Sequence, residues 1–496
     1  MKEVTLIYPH QLYESHPAVA KNHLHILIED PHFFGDPANP LKFHKQKLML
    51  HRASMRYYAR EVLEKQGFQV TYLAHKECAD FFALLGRLRQ EGVTTINVVD
   101  PTDHVLEERI RQFCEVHGFH LFMYETPNFL TSKVEVDRFF AAHRTVRLKE
   151  FYAWQRARMG LLLDEKRRPR GGQWHFSLPR APQPPRSHTV PALRNFRTRP
   201  YVDEARVYVE KNYPENPGST IDFGYPISAA EAREWFDDFL EKRLEHFSAY
   251  HHAIAADDPF LYRAVLSSSL NSGLISPQYV LERLERFLGA HPLPLETVEA
   301  FVHRIVGMRE YTRAVYLKMG QRQRTFNYFM HTHRLSSMWH GGRTALPPLD
   351  DTLQKLTRYA YCSLSERLVV LGTLMLLSEA HPEEVYRFFM EMFIDAYDWA
   401  VVPNVYGFSQ HAEGGLMADM PHFNCSDELL QLSDYRAGPW CTIWDGLYWR
   451  FVDRHRILFG RSKGLKSMVS RCKKITGPRL ERYRHAAEAF IKRAML

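Results

Sequence analysis

Cysteine is scarce and scattered. The six residues Cys78, Cys114, Cys362, Cys425, Cys441 and Cys472 are spread over 496 positions, with no CxxC pair and no regular spacing. Such a set excludes a disulfide framework and makes reduced thiols the default. No run of about eighteen uninterrupted apolar residues occurs, so neither a membrane span nor a membrane partner is expected. The opening MKEVTLIYPHQLYESHP has no apolar signal core and no small-residue cleavage site, which places the protein in the cytoplasm. No GxGxxG follows the first strand-like run, so a dinucleotide fingerprint is excluded. Internal repeats are absent too. The histidines of MHTHR, His331 and His333, stand two apart; on a helix that spacing sends them to different faces, and no metal is assigned.

What is present is a soluble globular composition, 45% hydrophobic and 25% charged, in a chain long enough for two or three domains and a sizeable buried ligand. The formal charge of +8 favours an anionic partner, most commonly nucleic acid, reached through a basic surface. Protein partners are not indicated. From the start, VTLIY, LHILIED, QVTYLA, TINVVDP and HLFMYETP alternate with helical patterns near 44 to 65, 79 to 91 and 105 to 117. That alternation predicts an α/β domain with a doubly wound parallel sheet over residues 1–135, whose ligands would sit beyond the carboxyl ends of the strands. A connector follows at 136–227, dense in proline and arginine at 164–200 and expected to run extended over the surface. From 228 to 496 strand signals fade. In SAAEAREWFDDFLEKRLEHF, Trp235, Phe236, Phe239, Leu240 and Leu244 share a face, so an all-α domain larger than the first is expected.

Seven collinear segments, LIYPHQLYESHP, IEDPHFFGD, FHKQKLMLHRASMRYYA, GGQWHF, FVHRIVGMREYTRAVY, FIDAYDWAVVPNVYGFSQHAEGG and LYWRFVDRHR, resemble the bacterial photolyase-related branch of the photolyase/cryptochrome family, with its iron-sulfur six-four photolyases and bacterial cryptochromes. The resemblance runs nearly end to end. It implies an antenna domain, a connector and a helical domain that folds FAD into its centre and presents it to DNA. On the positions that match, it implies cofactor contacts from Ser267, Asn271, Arg309, Arg367, Asp395, Trp399 and Asn404, with Pro403 in the same closing turn. Arg367 and Asp395 would grip the isoalloxazine edge, or else staple two helices; Arg309 and Glu310 form a helix-helix ion pair or touch the ligand. Tyr8, Pro9, Gln11, Glu29, Phe33 and Phe34 would hold a lumazine-type antenna, or pack as ordinary loops. On the basic helix FHKQKLMLHRASMRYYAR, Lys45 and Arg52 read as surface charges that could also meet an anion.

The departures from the family pattern are specific. Of its four cluster cysteines, the first falls on Pro347 or its neighbour, the CxxC that follows SDY is replaced by Arg436 and a shortened segment, and one thiol cannot hold a cube. Cys441 is therefore expected to be a buried small hydrophobe in an aromatic wall, and no iron-sulfur cluster is expected. The repair histidines become Ser363 and Leu364, neither of which donates a proton as imidazolium does, so the catalytic residues stay unassigned. The flavin-side tryptophan becomes Phe388 or Phe389. Arg304, Met308, Val401 and Phe408 replace further pocket residues, and Ser268 and Ser269 stand where the phosphate-cradling pattern has proline and tyrosine. Three functions stay open: light-driven DNA repair, light sensing, and a chromophore-poor scaffold that binds nucleic acid or protein.

Overall fold

The β-rich runs form β1 Lys2–Ile7, β2 His23–Ile28, β3 Gln69–Leu73, β4 Val93–Val99 and β5 His120–Tyr124, all parallel, in the order β3-β2-β1-β4-β5. Val4 at the centre pairs with Leu24 on one side and Ile96 on the other. Successive β1 residues Val4, Thr5, Leu6 and Ile7 are all buried, the mark of a sheet covered on both faces. The crossovers carry the helices Lys45–Tyr57, Phe81–Gln90 and His104–His117; Asp103 caps the last by accepting from the Leu106 amide.

The chain is described here from a computed structural model, over residues 2–143, 147–176, 190–196, 200–341, 343–462 and 464–496. Most of the proline- and arginine-rich stretch expected to run extended, 177–189 and 197–199, lies outside those residues. The rest of the connector holds the helices Leu148–Met159 and Pro200–Asn212, and the helix Lys133–Ala142 crosses the position 135/136. From Ala229 onward every helix or strand among the described residues is a helix. Ser228 starts the first by accepting from the Glu231 amide, and Trp235, Phe236, Phe239 and Leu240 turn their shared face inward as the periodicity predicts. No helix among the described residues is long and apolar enough to cross a membrane.

In this protein the strand ends, where doubly wound sheets usually bind ligands, carry the helical domain instead. Arg313 of the helix Glu310–Gln323 lies 3.4 Å from Asp100, and its guanidinium also donates to the Thr131 carbonyl. His104 stacks on Tyr316 at 4.4 Å, and the Leu12 amide donates to the Ser272 carbonyl at 3.1 Å. Gly273 follows at φ +82°; a methyl there would meet the Tyr13 ring at 2.7 Å, so the YPHQLY loop and the helix Ser267–Ser272 are in direct contact.

Two expectations about polar residues are corrected. The helix Lys45–Tyr57 is not a surface element. Lys45 is half-buried, and Arg52 is buried against Glu29 at 2.7 Å and Glu204 at 2.5 Å, stacked 3.5 Å over Tyr208. Lys47 is buried as well, donating to the Ala396 carbonyl at 2.7 Å, and burial pulls its pKa down to about 7. His331 and His333 lie in an extended segment rather than on a helix; His333 is within 2.8 Å of the Ser378 carbonyl through Nδ1, while His331 stacks on Phe329.

Candidate functional site

Three segments of the helical domain wind as π-helix: His303–Arg309, Glu366–Gly372 and Pro403–Ser409. Each places residues in the wall of one cavity of about 330 Å³, at the small end of ligand sites (about 300–1,000 Å³). A π-turn inserts an extra residue per turn and costs hydrogen-bond quality, so its recurrence around one hollow marks a functional wall.

All seven cofactor-contact residues of the sequence reading line this cavity. Six belong to one contact network. Arg367 donates to Asp395 Oδ2 at 3.1 Å and lies 3.0 Å from Oδ1; Ser267 Oγ donates to Oδ2 at 2.5 Å. Asn271 donates to the Asp395 carbonyl at 2.8 Å and accepts from Arg309. The Arg309 guanidinium stacks on Trp399 at 4.8 Å and Phe129 at 4.9 Å, and reaches the Asn128 carbonyl beyond β5. Asn404 stands apart, donating to the Ala400 carbonyl at 2.7 Å.

The electrostatics are one-sided. Arg263, Arg304, Arg309 and Arg367 line the cavity, and Asp395 is the only carboxylate that does so among the described residues. Asp395 raises the pKa of Arg367 against the effect of burial. Burial, reinforced by Arg263, pushes Arg304 down to about 10; burial lowers Arg309 to about 10 despite Glu310. Burial, with His252 and Arg304 nearby, brings the lining His251 down to about 3, so it is neutral near pH 7. Half-buried Arg304 has no hydrogen-bond or ion-pair partner among the described residues, and Arg309 Nε is buried without one; Ser268 Oγ and Ser269 Oγ are also unpartnered but do not line the cavity. A partly desolvated cation without a counter-charge is costly. The donor set therefore suits an anionic ligand with an extended apolar part.

The departures from the family pattern sort by position. Arg304, Met308, Leu364, Phe389 and Val401 line the cavity; Ser363 does not, and instead accepts from the Glu366 amide. Phe388 packs on Trp339 and His340, and Phe408 on Tyr311, away from the wall. Arg309 and Glu310 are not an ion pair: Glu310 accepts from the Leu130 amide and Thr131, while Arg309 turns to Asn271. Pro347 is the first residue of the helix Pro347–Tyr359. Cys441 is half-buried on the helix Pro439–Arg454, rather than fully enclosed, beside buried Trp440 and Trp444. Among the described residues no group of three or more His, Cys, Asp or Glu could hold a metal ion.

The six antenna residues are all buried. Glu29 accepts from Arg52, from Tyr72 at 2.6 Å and from the His75 amide at 2.8 Å; Gln11 donates to the Val99 carbonyl at 2.7 Å; Phe33 and Phe34 pack on His51. Tyr8 borders a hollow of about 70 Å³, room for a water or two, which the other five do not line. Sequence reasoning missed Arg263, Tyr361 and Phe393 of the main cavity. Arg263 sits in an irregular segment with no periodicity to flag it, and its guanidinium donates to the Ala253 carbonyl.

Residues 5–225 match the model of the family described as deoxyribodipyrimidine photo-lyase-related protein. A (6-4) photolyase of Agrobacterium fabrum is 28% identical over 428 residues, covering 83% of this chain and 84% of that one. An uncharacterised protein of Acanthamoeba polyphaga mimivirus is 30% identical over 184 residues, 36% of this chain and 92% of its own. Among solved structures, the Synechocystis cryptochrome superposes with a TM-score of 0.62 at 14% identity over 99% of both chains. A class III photolyase from Agrobacterium tumefaciens does so with a TM-score of 0.55 at 17% identity, over 99% of this chain and 98% of that one.

Proposed function

The chain belongs to the photolyase-related branch of the photolyase/cryptochrome family, and from that premise we propose that the arginine-rich cavity binds FAD and that the protein is a flavoprotein of blue-light-dependent DNA repair or light sensing. The observation that carries this reading is the convergence of four arginines and a single carboxylate on one hollow. Arg367 and Asp395 would hold the isoalloxazine edge; Ser267 and Asn271, with Arg263 and Arg304 supplying positive charge, would hold the pyrophosphate. Bound FAD supplies one-electron redox chemistry that light can drive. Trp399 and Phe129, edge-to-face with each other at 4.9 Å, both contact the Arg309 guanidinium and shield it in part from water.

Light sensing fits this wall better than six-four repair. A general acid toward a lesion must carry a proton near neutral pH. Leu364 cannot, Ser363 is turned away from the cavity, and His251 is held neutral. DNA remains the proposed partner and the cytoplasm the proposed compartment, where the six free thiols would stay reduced. A lumazine-type antenna is disfavoured by the 70 Å³ hollow beside Tyr8.

The test is the absorption spectrum of the purified protein. Flavin bands in stoichiometric amount are expected, and Asp395→Ala should lose them while staying soluble, because it leaves Arg367 without a counter-charge. A colourless wild type, the outcome a scaffold protein would give, or unchanged flavin content in Asp395→Ala would overturn the reading. Irradiated oligonucleotides followed in blue light and in darkness then separate repair from sensing.

A further inference from the structure

The positive charge of this chain is concentrated in two stretches, the connector segment 166–199, with 9 Lys and Arg and no Asp or Glu, and the C-terminal segment. Residues 454–496 hold 13 Lys and Arg against 2 Asp and Glu, whereas the whole chain holds 65 against 57, so residues 1–453 are slightly acidic, 52 against 55. Of the two, the C-terminal segment is the one the structure describes at every position but 463, and its excess of 11 positive charges suits a polyanion.

The segment folds as three helices, Arg456–Arg461, Lys466–Cys472 and Gly477–Ala494. In the last, Tyr483, Ala487, Phe490 and Ala494 form a stripe buried against the helix Pro439–Arg454. The two helices are nearly in backbone contact: a methyl at Gly446 would lie 2.4 Å from the Tyr483 carbonyl oxygen. With the apolar stripe spent inward, the outward positions are basic. Lys466, Lys473, Lys474 and Arg482 are exposed, and none has an ion-pair partner among the described residues; Arg454, Arg456 and Arg484, by contrast, each meet a carboxylate. Like charges so near one another in the chain repel, and no ion pair among the described residues offsets that cost for these four.

We propose that the exposed cations of this C-terminal segment, none of which lines the cavity, form a nucleic-acid platform that binds the phosphodiester backbone of duplex DNA without reading sequence. A membrane surface is the competing polyanion. Helices that bind membranes need a free apolar face to sink between headgroups, and here that face is already covered; the exposed large hydrophobics of the segment are Ile457 and Leu496. Backbone binding needs only cations with reach, which is what the segment presents. The inference rests on the reading that DNA is the partner, and is independent of the flavin.

The experiment measures binding of the full-length protein to undamaged duplex DNA in darkness, by fluorescence anisotropy over a series of salt concentrations. The quadruple variant K466E/K473E/K474E/R482E should bind at least about tenfold more weakly. Its slope of log affinity against log salt should be shallower by about 0.9 for each phosphate that the variant no longer neutralises. The neutral variant K466Q/K473Q/K474Q/R482Q should fall between, with flavin content and melting temperature as in the wild type. Wild-type affinity and slope in both variants would overturn the platform while leaving the DNA reading intact. Binding to phosphatidylserine vesicles but not to duplex would overturn both.

Discussion

At the scale of single residues, buried cations are held in two ways, by carboxylates or, as for Lys47 and Arg156, by backbone carbonyls alone. Arg52, Arg313 and Arg324 each meet a carboxylate, whereas Arg304 meets none among the described residues. His32 shows what such pairing does. Burial alone would lower its pKa, but Asp103 at 2.9 Å overrides that and holds the imidazole at about 8. A histidine raised above its unfolded value contributes stability that is complete below about pH 6.5 and lost as pH rises through the folded value. The difference in melting temperature between the wild type and His32→Gln should therefore be widest near pH 6, worth about 2 kcal/mol, and close above pH 8. A gap that stays constant across that range would mean that the pair is not charged. Sequence could not foresee this pair, because residues 32 and 103 meet only through the sheet. It did single out Arg367 and Asp395, whose types match a known pattern although they too meet only in the fold.

At the scale of elements, the strands and the amphipathic helices were legible because their periodicities are local. The π-helical segments were not: His303–Arg309 and Pro403–Ser409 read as ordinary helix or turn, since an extra residue per turn leaves no mark in composition. Element contacts also decide how the cavity floor is held. The helix Ser267–Ser272 carries Ser267 and Asn271, and its end at Gly273 is pressed on Tyr13 of the β1–β2 connection. Gly273→Ala should cost about 2–4 kcal/mol in urea unfolding, from positive φ and overpacking together. It should also weaken flavin retention, by moving Asn271 relative to Asp395. Full stability in that variant would show that the loop does not brace the helix.

At the scale of the whole molecule, one continuous hydrophobic core runs from β1 to the C-terminal helix. Buried polar contacts, Arg313 to Asp100 and Lys47 to the Ala396 carbonyl, cross between the α/β and helical parts. Parts joined by a core of that kind should unfold together. Calorimetry is expected to give a single endotherm, and two resolved transitions would contradict a shared core.

By itself the sequence determined the order of strands and helices, the parallel doubly wound class and the change to helix beyond residue 228, because each follows from patterns a few residues long. Through resemblance it also nominated Ser267, Asn271, Arg309, Arg367, Asp395, Trp399 and Asn404 as a set. Only the tertiary structure decided which charges are buried. Arg52 and Lys47 sit inside because the helix Pro200–Asn212 and the segment around Ala396 cover them from far along the chain. It also decided that the strand ends receive the helical domain, and that four arginines face one hollow with, among the described residues, a single carboxylate. Burial and net field are sums over neighbours distant in sequence, and no local pattern encodes such a sum.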